Sequence, residues 1–373
     1  MKEAYINKDL NVEIREVPVP AVGPGELLIR TVVSGTNPKD WKMPKLMGGD
    51  AANRDDDIAD YVEAVGEGVT GFRPGGDAAN HGDDIAGYVE AVGEGVTGYR
   101  PGDRVAAFHQ IFAPHGSYAE YSVAPAKAAF HLPATTAFEE GATIPLAGMT
   151  AALGVYRSLR LPFPWDPVTV PTPLVVNGAA TAVGAFAIKF ATLSNIHPII
   201  AIAGKGIPYV ETLLDSRKGD IVIDYRQGAN HVTEQLQKTA KSHAISYAYD
   251  AVSDKASLEM LCKVVSPNGG KIMSVIPQAD EDIGGITVLG SNATSIHAPA
   301  NEGTHVGDAE FGATIYNLIS LGLGHGWFSG HPYEVVQGGL TGLERALKDL
   351  EAGKASATKY VLRLAETPGL PKD

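Results

Sequence analysis

The sequence predicts an α/β fold, a doubly wound parallel sheet joined to a small β-barrel domain. Three observations predict it. From residue 174 onward, short apolar runs alternate with segments of helical spacing. Before residue 130, closely spaced strand-like segments are separated by Gly and Pro turns. Near the end a helix-like and a strand-like segment follow the alternating region. At 373 residues the chain is long enough for roughly two domains.

The alternating region begins with the apolar strand 174–176. A turn of small residues follows, Asn177-Gly178-Ala179-Ala180-Thr181-Ala182-Val183-Gly184, and then Val183, Phe186, Ala187 and Phe190 recur at helical spacing. Residues 199–203 make the next strand. A strand, a small-residue turn, a helix and a second strand within about 30 residues form a dinucleotide-binding unit of the Rossmann kind. The turn needs residues without bulk so that backbone N–H groups reach a pyrophosphate at the helix N-terminus. Here alanines stand where the strict motif has glycine. Further strands are expected at 221–223, 247–249 and 272–276, with helices around 209–217, 231–241 and 255–264.

The end of the second strand bears on the choice of dinucleotide. An NAD binder usually places an acid there to accept from the ribose hydroxyls. This chain has Ala203-Gly204-Lys205-Gly206, with no acid before Glu211. A lysine attracts a 2′-phosphate, so NADP is the expected cofactor. The plain alternative is that Lys205 is a solvated loop cation. Tyr225 and Arg226, after the next strand, offer a hydroxyl and a second cation.

In the first part of the chain, Gly23-Pro24-Gly25-Glu26 is a turn before a strand at 27–33, and 89–92, 104–108 and 117–123 have strand character. Residues 49–75 and 76–102 are near copies. They differ only at Arg54/His81, Asp55/Gly82, Asp60/Gly87 and Phe72/Tyr99. Two units do not make a solenoid, which needs ~3. The second copy has the better turn chemistry at Gly82 and Gly87 and leads into an apolar strand, so it is expected to be the seated one. Residues 49–75 then form an insertion, from a true duplication or a faulty gene reading. The helix expected at 340–350 and the strand at 360–364 return to this domain. The expected division is 1–146 for the barrel-like catalytic domain, 147–317 for the dinucleotide domain and 318–373 for the C-terminal return.

Composition excludes several classes. Hydrophobic residues at 44% are ordinary for full cores, and a net charge of -13 argues against nucleic acid or an anionic membrane surface as partner. The first twenty residues lack the apolar core of a secretion signal, and no stretch reaches the ~18 apolar residues of a spanning helix. A cytoplasmic location, a small-molecule substrate and no membrane partner are expected, and a homodimer stays open. The single cysteine, Cys262, forms no intramolecular disulfide and no cysteine-based zinc cluster, and no histidine pair has metalloprotease spacing. No metal site is expected.

Several stretches together resemble a known family: PGPGELLIRTVVSGTNPKDW, GDDIAGYVEAVGEGVTGYRPGDRVAAF, HGSYAEY, EEGATIPLAGMTAALGVY, NGAATAVGAFAIKFA and ASATKYVLRL. The family is the medium-chain dehydrogenase/reductases, in their zinc-independent quinone and enoyl reductase branch. Within it the chain resembles the fungal oxidoreductases typified by concanamycin-induced protein B. The resemblance spans nearly the whole chain apart from 49–75 and implies a GroES-like barrel beside the Rossmann domain.

It further implies that Asn37 and Thr150 lie near the nicotinamide. Gly178, Ala179, Ala180, Thr181, Ala182, Val183 and Gly184 would cradle the pyrophosphate, and Lys205 and Tyr225 would hold the 2′-phosphate. Ala251, Val252, Ile276 and Pro277 would line the cofactor cleft, with Lys359 approaching from the C-terminal strand. Asn37-Pro38 also reads simply as a strand-ending turn. The implied reaction is NADPH-dependent hydride transfer to an activated C=C bond or a quinone, without metal. The alternatives are an NADPH-dependent ketone or aldehyde reductase and a low-turnover NADPH-binding protein. No catalytic acid is assigned; Tyr88, His109, His115 and Tyr118 are candidates, each with packing as a competing role.

Overall fold

A computed structural model describes residues 1–47, 79–276, 279–298 and 307–371. The duplicate at 49–75 and the expected cleft residue Pro277 lie outside the described residues. The chain divides into two compact units, Met1–Leu146 with Thr294–Asp373, and Ala147–Ala293.

The first unit opens with a hairpin of β1 (Lys2–Ile6) and β2 (Val12–Glu16). Its main sheet starts at β3 (Glu26–Gly35), continues through β4 (Asp84–Val92) and β5 (Arg104–Phe108), and takes in β6 (Tyr121–Pro125) and β7 (Ala129–His131). These strands pair antiparallel, with β3 between β4 and β6. Leu27, Ile29, Ile85, Val89, Val105 and Ala107 make one core cluster, and Leu28, Ala86 and Ala106 between them are buried as well. Each fully buried aliphatic side chain of this kind contributes about 1.5–3 kcal/mol. The strand expected at 117–123 begins later, at Tyr121. Ser117 and Tyr118 instead turn their side chains inward, Ser117 to the Ser34 hydroxyl at 2.6 Å and Tyr118 to Asp40.

Residues 79–102 supply β4, and their chemistry shows what that seat accepts. A Cβ on Gly87 would run into the Arg30 carbonyl oxygen across the sheet, and one on Gly82 would lie 2.8 Å from the Tyr118 ring. Tyr99 donates its hydroxyl to the Ala129 carbonyl at 2.7 Å. His81 is held neutral, its pKa pushed down to about 3 by burial and by the Lys39 ammonium. The first copy offers Asp60, Asp55, Phe72 and Arg54 at these four places. Two of them collide, one lacks the hydroxyl, and an arginine cannot shed its charge.

The second unit is a doubly wound sheet. Its strands are β8 (Leu174–Asn177), β9 (Ile199–Ala203), β10 (Ile221–Asp224), β11 (Tyr247–Asp250), β12 (Gly270–Ser274), β13 (Glu281–Ile283) and β14 (Ile286–Leu289), in the order β10-β9-β8-β11-β12-β14-β13. All neighbours are parallel except β13 with β14. Val175, Ile200, Ile202 and Ile272 pack with Val232 and Leu236 of helix Ala229–Ser242 and Leu261 of helix Lys255–Cys262. The hairpin of β13 and β14 goes beyond the strands expected from sequence.

The chain then returns to the first unit, which gains β15 (Tyr333–Val335), helix Leu343–Glu351 and β16 (Lys359–Arg363) beside β3. The return begins at Thr294, whereas a boundary between 317 and 318 was expected; that point falls inside helix Asp308–His325. Side chains bind this helix to the barrel. Tyr316 stacks on Phe130 at 5.2 Å and donates to the Pro145 carbonyl at 2.9 Å, and Ser320 donates to the His131 carbonyl at 2.8 Å.

Candidate active site

In the second unit the carboxyl ends of five strands stand in one row. Asn177 is level with Ile202 and Asp250, Ala203 with Asp224, and Asp250 with Ser274. Gly178, Lys205, Tyr225, Ala251, Val252 and Ile276 follow directly on these ends, so the sheet brings the expected residues to a single edge.

The turn after β8 is shaped by glycine at both ends. Gly178 has φ +71°, in the left-handed region that other residues avoid. A Cβ there would lie 2.9 Å from Val252 Cγ2, and a Cβ on Gly184 would strike the Gly178 carbonyl oxygen. Thr181 caps helix Ala182–Leu193 by accepting from Gly184 N at 3.0 Å, a cap worth about 1 kcal/mol. The N–H groups of Ala182 and Val183 have no acceptor among the described residues. Two open donors at a helix start, beside a turn with no bulk, suit an oxyanion. Ala179 is fully buried beneath the turn, its N–H bonded to the Ile202 carbonyl at 3.0 Å, while Ala180 lies partly open.

The flanks are stitched by a carboxylate that sequence reading overlooked. Asp250, buried at the end of β11, accepts from Asn177 Nδ2 at 2.9 Å, from Val252 N at 3.1 Å and from the Ser257 hydroxyl. It thereby sets the loop that carries Ala251 and Val252. Thr150, on helix Pro145–Ala152, is buried, and its carbonyl accepts from the Tyr249 hydroxyl at 3.1 Å.

At the end of β9, Lys205 is exposed and pairs with no carboxylate among the described residues. A Cβ on Gly204 would lie 2.6 Å from the Tyr225 ring, so the bare glycine lets the phenol lie across the strand end. Tyr225 remains 57% exposed there, open to a ligand. Arg226, offered as a second cation, already holds a carboxylate. Its guanidinium grips Asp224 at 2.7 and 2.8 Å, and those hydrogen bonds hold the Asp224 carboxyl below its usual range. An acid therefore does stand at this edge, opposite Ala203 on the neighbouring strand, and its charge is already matched.

In the first unit Asn37 and Lys359 meet. Lys359 Nζ donates to Asn37 Oδ1 at 3.0 Å and forms an ion pair with Asp84; Asn37 Nδ2 donates to the same Asp84 oxygen at 2.9 Å. Asp84 Oδ1 accepts from Leu146 N at 2.7 Å. A second buried group adjoins through the Asn37 backbone, which donates to Asp40 at 2.7 Å. There Lys39 donates to Asp40 at 2.8 Å and to the His81 carbonyl at 2.6 Å and pairs with Asp83. Burial raises the Asp83 carboxyl although Lys39 opposes the shift, and burial with Asp40 pushes the Tyr118 phenol well above its ordinary value.

Three proton-donor candidates have structural partners. Tyr118 donates to Asp40 at 2.6 Å, His109 Nδ1 sits 2.6 Å from the Val123 carbonyl, and Arg30 lies over the Tyr88 ring. Among the described residues no group of three or more His, Cys, Asp or Glu is placed to hold a metal ion, and no helix is long and apolar enough to cross a membrane.

Comparison with known proteins gives the family. Residues 23–134 match the alcohol dehydrogenase GroES-like domain. The chain is 39% identical over 342 residues to the trans-enoyl reductase fsr4 of Gibberella fujikuroi, covering 91% of each. It belongs to the medium-chain dehydrogenase/reductase family, in the enoyl and quinone reductase branch. Solved structures share the fold. An alcohol dehydrogenase superfamily protein from Novosphingobium aromaticivorans aligns over 100% of this chain and 97% of its own with a TM-score of 0.73 at 19% identity. The CurK enoyl reductase aligns over 97% and 98% with a TM-score of 0.71 at 16% identity. Medium-chain reductases use a nicotinamide cofactor, and the edge of the parallel sheet is where this chain carries the residues suited to one.

Proposed function

We propose that the protein is an NADPH-dependent, metal-independent reductase of activated C=C bonds. The observation that carries the reaction is the 39% identity, over 91% of both chains, to a protein named as a trans-enoyl reductase. The small-residue turn with its open N–H groups supports a pyrophosphate at 178–184. Lys205 and Tyr225 support the 2′-phosphate, because a cation and a hydroxyl stand together where an NAD binder has an acid. Ala251, Val252, Ile276 and Pro277 would flank the cofactor, and Asn37, Thr150 and Lys359 would serve its reacting end.

When bound, NADPH supplies a hydride to the β-carbon of a conjugated carbonyl. The residues of this chain orient the partners and offer hydrogen bonds to the carbonyl oxygen as it gains charge. Conjugation carries that charge to an oxygen distant from the attacked carbon, so a few donors suffice without a Lewis acid. Metal independence is supported by the position of the single cysteine, Cys262, which packs against the apolar core of the parallel sheet.

A panel of enones, quinones and saturated ketones, followed by NADPH oxidation, tests this reading. Enones or quinones should be consumed, a chelator should leave the rate intact, and elemental analysis should find no stoichiometric zinc. NADPH should bind at least ~10-fold more tightly than NADH, about 1.4 kcal/mol. Equal affinities would refute the cofactor assignment. Turnover confined to saturated ketones would move the protein to carbonyl reduction, and no turnover at all would make it a cofactor binder.

A further inference from the structure

Two buried lysines in the first unit offer a contrast. An ammonium has three N–H donors. Lys39 donates to Asp40 and the His81 carbonyl and is ion-paired with Asp83 as well. Lys359, whose side chain is 4% exposed, donates to Asn37 and Asp84, and its third N–H meets no acceptor among the described residues. Buried donors are almost always matched, so an unmatched one on a cation marks a place for an oxygen acceptor, from water or from a ligand.

The three residues arrive from separate segments. Asn37 follows β3, Asp84 opens β4, and Lys359 opens β16. Gly35 allows them to converge. A Cβ there would lie 3.1 Å from the Asp84 Cβ and 3.2 Å from the Lys359 Cε, and would strike the Ala142 carbonyl oxygen. Asp84 is the hub: one oxygen receives both Lys359 and Asn37, the other receives Leu146 N, and its side chain has no exposure. A buried ion pair is a poor way to gain stability, since apolar residues of similar volume often serve as well. Its use here is orientation. With two of three N–H directions fixed, the third is fixed too.

We propose that Asp84 is a positioning residue that, together with Asn37, fixes the Lys359 ammonium, and that the remaining Lys359 N–H hydrogen-bonds the carbonyl oxygen of the conjugated substrate. The proposal rests on the reductase reading above. Lys359 stabilises the oxygen as the C=C electron pair shifts toward it; water then protonates the α-carbon, and the carbonyl is restored.

The test compares Asp84→Asn, Lys359→Gln and the double variant with the wild-type enzyme. Readouts are kcat and KM for an enone, NADPH affinity by fluorescence titration, and the thermal midpoint. Asparagine at 84 would turn an amide N–H toward one of its present donors. It should lower kcat ~10–100-fold while NADPH affinity stays within ~3-fold. Lys359→Gln should lower kcat ~100-fold. Because Asp84 acts through Lys359, the double variant should match Lys359→Gln within ~2-fold.

Multiplicative losses in the double variant, or an Asp84→Asn enzyme with wild-type kcat, would overturn the proposal. If Asp84→Asn does not fold, the double variant, which removes both charges together, is compared directly with Lys359→Gln. Equal kcat supports the proposal and a further tenfold loss refutes it. Wild-type turnover of the enone is measured first. Its absence overturns the reaction itself, an outcome distinct from failure of the variants alone.

Discussion

At the turn 177–184 the candidate site is built largely from backbone. Two open N–H groups, a left-handed glycine and a close glycine contact shape it, and within this turn neighbours in sequence are neighbours in space. In the barrel unit the site is built from side chains. Asn37, Asp84 and Lys359 come from three separate places in the chain and are buried against one another. A backbone site asks of its side chains only that they keep the turn open, which alanine does. A buried side-chain site depends on every charge having its partner.

The largest effect should come from the barrel. Gly87→Asp places the first copy's residue in the seat of the second, where its Cβ meets the Arg30 carbonyl oxygen. The β3–β4 pairing should fail, with loss of soluble protein or more than about 4 kcal/mol of stability in denaturant titration. A stable, folded variant would show that the seat is not selective.

In the other unit a comparably drastic change of side chain should leave the fold alone. Lys205→Glu reverses a charge on an exposed residue, so the thermal midpoint should hold. NADPH affinity should fall at least ~10-fold while NADH affinity changes less than ~2-fold. Equal weakening of both cofactors would mean that Lys205 does not meet the 2′-phosphate.

A smaller effect concerns acid. His81 has its pKa pushed down to about 3 in the folded protein, against 6.5 unperturbed. Its neutral form is favoured by folding, so its contribution is complete above pH 6.5 and is lost as the pH falls from there toward 3. His81→Gln, which cannot charge, should lose less stability than wild type between pH 7 and pH 4. Parallel urea midpoints across that range would contradict this.

Smallest of all should be the deletion of residues 49–75, with the thermal midpoint and NADPH affinity both kept. Loss of either would mean that both copies are needed.

The same contrast sets what was legible in the sequence. The turn 177–184 and the strands on either side could be read directly, because period and small residues encode them locally. Lys205 and Tyr225 could be read as a pair because each follows a strand end. Asp84 could not, since nothing in a linear pattern tells that residues 37, 84 and 359 meet; the Asp83-Asp84 pair at the start of a strand was the only signal. Asp224 could not be read as part of this edge, because it ends β10, one strand beyond the β9 end where the acid of an NAD binder is expected. Helix Asp308–His325 was missed because Gly312, Gly322 and Gly324 weaken its helical signal. Two of these glycines have packing reasons. A Cβ on Gly312 would lie 3.1 Å from Ile296, and one on Gly322 would lie 2.6 Å from Trp327 and Phe328.

The central claim, reduction of an activated C=C bond, is tested most directly by a matched pair: a conjugated enone and its saturated ketone, each given NADPH carrying deuterium at the transferred position. Products are identified by mass and NMR. The enone should yield the saturated ketone with deuterium at the β-carbon, and the saturated ketone should remain unreacted or react far more slowly. An enone whose C=C bond survives while its carbonyl becomes a deuterated alcohol, at a rate matched by the saturated ketone, would contradict the account.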